Sequence, residues 1–132
     1  MKRVVVLALS LLLLASCRPP DDAAAAAGRL PAGIQGRLEL GGPARTGPAP
    51  VTVYLLDGGE GISGASVSVT GDMTHAGMVP VIAQAPESAP GEYVADEFAF
   101  NMGGDWMLLA DVRLADGTQF ELNLPVSVSS GN

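Results

Sequence analysis

The stretch Gly71-Asp72-Met73-Thr74-His75-Ala76-Gly77-Met78 holds the one histidine of the 132-residue chain and places a methionine on either side of it. Thioether sulfur is a soft, weak donor, and imidazole is a borderline donor that suits copper as well as zinc. Two thioethers and one imidazole this close together fit Cu(I) better than any harder ion. The same residues have a plainer use. Methionine fills irregular gaps in cores, and a single histidine commonly does no more than sit in a polar loop. By itself the octapeptide favours the plainer use. The other methionines beyond the start of the chain, Met102 and Met107, decide the matter by where the fold puts them.

The elements that must position these side chains are strands. Ala65, Val67 and Val69 alternate with Ser66, Ser68 and Thr70. Trp106, Leu108, Ala110, Val112 and Leu114 share one face, opposite Asp111 and Arg113. Phe120, Leu122, Leu124, Val126 and Val128 alternate with Gln119, Glu121, Asn123 and Ser127. Period two over such lengths means strands with one buried face. Weaker strands fit near 34–40, 50–56, 78–84 and 91–100, separated by Gly-Gly-Pro, Asp-Gly-Gly, Pro-Gly and Ala-Asp-Gly turns. The spacing therefore predicts an all-β chain, an immunoglobulin-like antiparallel β-sandwich of about seven strands with Trp106 as a core anchor. Pro80 and Pro125 each lack a ladder donor, so their strands belong at an edge or begin there.

In an antiparallel succession every second connection lies at the same end. The connection with Met73, His75 and Met78 follows the third of these strands, and the one with Met102, Gly103 and Gly104 follows the fifth. Both fall at one rim, with Met107 just inside the sixth strand. Two or three thioethers plus His75 then make a three- or four-coordinate Cu(I) site. It is a poor site for Cu(II), which prefers nitrogen and oxygen donors, and zinc asks for more His, Cys or carboxylate than this rim supplies.

The N-terminal residues read as an address. Lys2 and Arg3 precede an apolar run from Val4 to Leu14, too short to span a bilayer and ending in small residues, as a signal peptide does. Leu14-Ala15-Ser16-Cys17 resembles the bacterial lipobox, and Cys17 is the one cysteine in the chain. Residues 1–16 are thus a lipoprotein signal peptide, and a lipidated Cys17 anchors the mature protein to the membrane of the bacterial envelope. Residues 17–33, rich in Pro, Asp, Ala and Gly, read as a flexible linker with a reach of roughly 50 Å if extended. Residues 34–132 are the folded domain.

Cleavage after Ser16 removes Lys2 and Arg3 and no acid, leaving five basic residues against fourteen acidic ones, a net charge of −9. Such a surface does not seek nucleic acid or anionic headgroups. With Cys17 acylated, no thiol is free for nucleophilic work, and one histidine without an evident serine partner makes a catalytic triad improbable. Asp96-Glu97 read as a solvated bulge. Gly58-Gly59-Glu60-Gly61 lacks the Lys-Ser/Thr and helix of a phosphate loop. Binding, not catalysis, is the expectation.

The segments Gly-Ala-Ser-Val-Ser-Val-Thr-Gly-Asp-Met-Thr-His (64–75), Pro90-Gly91-Glu92-Tyr93, and Phe100-Asn101-Met102-Gly103-Gly104-Asp105-Trp106, in that order, resemble the YtkA-like domain family, related to FixH-like proteins. The resemblance covers roughly residues 36–128. It implies a small extracytoplasmic β-sandwich module, often a lipoprotein, associated with copper handling and respiratory oxidase assembly, with copper chaperones or oxidase assembly proteins as partners. Met73, His75 and Met102 match positions the family carries, whereas Met78 and Met107 are added by geometry. The alternative is a non-metal envelope module that binds another protein through its loops or edges. Neighbouring genes separate the two readings.

Overall fold

The alternation of apolar and polar residues is realised as two facing antiparallel sheets. A computed structural model describes residues 30–74 and 77–131, and every regular element among them is a strand. In chain order these are β1 (Ile34–Leu40), β2 (Gly47–Pro48), β3 (Val51–Asp57), β4 (Glu60–Gly61), β5 (Ser66–Met73), β6 (Val81–Gln84), β7 (Glu87–Ala89), β8 (Glu92–Ala95), β9 (Ala99–Phe100), β10 (Gly104–Arg113) and β11 (Gln119–Val128). Seven of them have four or more residues, as the period-two runs predict. The others are two- or three-residue pairings that no periodicity can announce.

One sheet has the order β1-β3-β8-β7, with β4 folded onto β3. The other has the order β11-β10-β5-β6, and β2 pairs with β9 as a small ribbon. The inward faces supply the core: Val51, Val53 and Leu55 from β3, Val67 and Val69 from β5, Trp106, Leu108, Ala110 and Val112 from β10. Phe98, Phe100 and Trp106 form an edge-to-face chain with centroid separations of 5.2 Å at both steps, the arrangement aromatic quadrupoles favour. Gly71 lies under this chain, where a Cβ would collide with Phe98 and crowd Trp106. At the open seam the backbones of Ala44 and Thr46 bond to Ser129, which ties the last strand to the segment before β2.

Pro80 immediately precedes β6 and Pro125 lies within β11, and these are the two edge strands of the four-stranded sheet. The Leu114 N–H donates to Thr118 O, so in the β10–β11 register the even residues of β11 face β10. Pro125 therefore stands where its missing N–H would point away from the sheet, and the ladder loses nothing.

Two expectations need correction. The run 91–100 is not one strand: Ala95 O accepts from Phe98 N–H, and the chain turns at Asp96-Glu97, both exposed, before β9 leaves to pair with β2. The pair is thus a tight turn and not a bulge, since burying Phe98 and Phe100 in the same core requires the chain to change direction. The run 78–84 becomes strand only at Val81, after Pro80.

The sandwich has two distinct poles. One holds the end of β5, the starts of β6 and β10, the end of β11 and the β2–β9 ribbon. The other holds the Gly58-Gly59 hairpin, the 114–118 turn and the entry of the chain, where Gly58 N–H donates to Gly33 O at 3.2 Å and Ile34 faces Asp57.

Candidate functional site

At the first pole, Met73 ends β5 on the inward-facing row that includes Val67, Val69 and Gly71, and it pairs with Trp106 of β10. It is half-buried against the core. Its terminal methyl lies against the backbone of Gly104, where a Cβ would come within 2.6 Å of Met73 Cε. Gly104 has φ +136°, a conformation that favours glycine, so both the backbone and the space there are reserved.

Met102 precedes β10 on the neighbouring connection. Its carbonyl accepts from the Trp106 indole N–H at 3.2 Å, which fixes the loop to the core, while the residue is 42% exposed. The two connections are also joined directly, because Thr74 N–H donates to Asp105 O at 3.2 Å. Asp105 in turn accepts from Ser127 Oγ at 2.7 Å, linking the loop to β11. Sequence reasoning missed Asp105 as an organiser. Its signal was only its position after two glycines and before Trp106.

The structure thus brings Met73 and the Met102–Gly104 segment together. Met78 lies half-buried in the connection between β5 and β6, at the same pole. Met107 does not join them. It is opposite Asp72 and Pro125 on the outer face of the sheet, since it follows the inward Trp106 and successive strand residues point to opposite faces. His75 lies outside the described residues, between Thr74 and Gly77 on this connection, and Cys17 also lies outside them.

Among the described residues no three His, Cys, Asp or Glu side chains are grouped to hold a metal ion. The methionines at this pole offer thioether sulfur, a soft donor that suits Cu(I) better than Mg(II), Ca(II) or Zn(II). A shallow polar groove lined by Ser66, Ser68, Asp111, Arg113, Gln119 and Glu121 lies on the outer sheet face toward the other pole, away from the methionines.

Two packed antiparallel sheets presenting thioether side chains at one end define a small β-sandwich module. The sequence pattern of the YtkA-like family matches residues 31–110, from the entry of the chain to within β10, and the chain belongs to that family. The crystal structure of CopC from Methylosinus trichosporium OB3b is similar to it, with a TM-score of 0.48 and 17% sequence identity, covering 74% of this chain and 97% of that one. No curated protein matches the sequence.

Proposed function

We propose that this chain is an extracytoplasmic copper-handling protein that binds Cu(I) through Met73, Met102 and His75, with Met78 as a further neighbour. The observation that carries the reading is the seating of Met73 against Gly104, which brings methionine-bearing segments from two connections to one pole. Thioethers and one imidazole are the donors that Cu(I) selects over harder ions. Membership in the YtkA-like family agrees with copper handling, and no step of catalysis is part of the reading. Lipidation of Cys17 would hold the module at a membrane surface of the cell envelope, where copper chaperones or oxidase assembly proteins are the fitting partners.

Anaerobic titration with Cu(I) against a competing chelator tests the site. His75→Ala and Met102→Leu should each weaken binding while the fold persists, since a Met-to-Leu exchange conserves volume and costs less than about 1.5 kcal/mol. Met107→Leu, on the other sheet face, should leave the affinity unchanged. Equal affinity in all three variants and the parent would sink the site.

A further inference from the structure

Among the described residues the large hydrophobic side chains most exposed to solvent are Val79 at 82%, Ile82 at 66% and Met102 at 42%. All three belong to the methionine pole or the strand that starts there: Val79 in the connection from β5 to β6, Ile82 at the second position of β6, Met102 before β10. Among the described residues the opposite pole has none. Apolar side chains confined to one region of a surface mark an interaction site more than scattered ones do. The same end carries four exposed acids, Asp72 and Asp105 beside the methionines and Asp96 and Glu97 in the turn after β8.

We propose that this pole is a docking surface for a protein partner that presents an apolar patch bordered by Lys and Arg, and that the partner meets the chain where Cu(I) is held; this rests on the copper reading above. Charge chooses among the occupants. A second copy would bring the same four acids face to face, and like-charge juxtaposition disfavours such a complex. An anionic membrane surface attracts basic segments and repels this one. The chain's own preceding segment is no better: it enters at the opposite pole, and between Arg18 and Arg29 it contains only Pro, Asp, Ala and Gly, with no large apolar side chain to cover Val79 and Ile82. A partner with a basic border gains on both counts, and its association should slow as salt rises.

Position-specific photo-crosslinking in living cells tests this with the full-length protein. Benzoylphenylalanine is placed at Val79 or Ile82, and at Gln35 or Ser66 as exposed controls toward the opposite pole. The expected result is one protein adduct shared by positions 79 and 82, joined through a peptide that contains Lys or Arg. Its yield should fall at least tenfold in Asp96→Asn/Glu97→Gln and stay below one-tenth of that yield at 35 and 66. An adduct with another copy of the chain or with lipid, equal yields at the control positions, a yield indifferent to the loss of charge, or no adduct would each overturn the proposal. The copper reading is scored separately by titrating Val79→Ser/Ile82→Ser, which removes no metal donor. Unchanged Cu(I) affinity without an adduct means that docking alone is wrong. An adduct without Cu(I) binding means that the copper reading is wrong.

Discussion

Met73 and Gly104 pack together: the methionine's terminal methyl occupies the place that a side chain at 104 would need, with 2.6 Å between Met73 Cε and an added Cβ. The glycine also holds φ +136°, which an L side chain rarely adopts. Gly104→Ala should therefore cost about 1–3 kcal/mol, chiefly from the strained backbone, since the flexible end of Met73 can move aside. It should also displace Met73 and weaken Cu(I) binding. Combining it with Met73→Ala should recover the steric part, and a double-mutant cycle by chemical denaturation measures the coupling. Additive effects would mean that the contact is not felt.

Trp106 joins the core to the Met102 connection through its ring and its N–H. Trp106→Ala should destabilise the domain by about 3–5 kcal/mol, read as a lowered denaturation midpoint. Trp106→Phe keeps most of the ring and loses the bond to Met102 O, which should cost about 0.5–1.5 kcal/mol for the bond itself and increase the mobility of Met102. Relaxation of the Met102 methyl in solution would report that increase.

Tyr93 closes the other end. Its buried ring sends the hydroxyl to Ile62 O at 2.7 Å, and the same oxygen accepts from Ala65 N–H at 3.1 Å. Burial raises its pKa above the ordinary 10.0, opposed by the Ala65 bond and reinforced by the Glu87 charge. The fold therefore disfavours phenolate more than the unfolded chain does. Stability from this group is fully present below about pH 10, the ordinary tyrosine range, and is lost as pH rises through the folded pKa. Tyr93→Phe should cost about 1–3 kcal/mol near neutrality, because the Ala65 N–H loses its acceptor while Ile62 O retains only the Gly91 N–H. Between about pH 8 and about pH 11 its denaturation midpoint should fall less than that of the parent.

Lipid attachment has its own test. On the proposed reading acylation of Cys17 supplies the anchor, so Cys17→Ala should release the protein from membranes or leave an uncleaved precursor. Cell fractionation and the mass of the product read the outcome. A correctly cleaved variant that remains in the membrane fraction would refute the assignment.

Much of this architecture was legible because period two is a strong signal where strands are long. The run from Trp106 to Val112 folds with its even members inward, and the edge positions of Pro80 and Pro125 follow from a missing donor. The short pairings β2, β4, β7 and β9 were not legible, since two or three residues have no period. The place of the β2–β9 ribbon depends on burying Phe98 and Phe100, a tertiary demand. Met107 was readable from its neighbour: once Trp106 faces inward, the next residue faces outward, so nearness in sequence to the rim did not mean nearness in space. The Gly-x-Tyr of residues 91–93 was noticed as a pattern, while the bridge its hydroxyl makes to Ile62 and Ala65 needed the fold.

Pro125 and Pro80 have a further consequence wherever copies of the chain meet one another. An exposed sheet edge is a template on which another chain can add strands, and repeated addition yields insoluble fibres. Along β11 the proline removes a donor from the row that an incoming strand would read. On the other side Pro80 and Pro86 bracket β6, leaving a short span between them. Polymerisation is thereby interrupted at both margins of the four-stranded sheet. Crowding copies together should therefore not favour strand addition along this sheet.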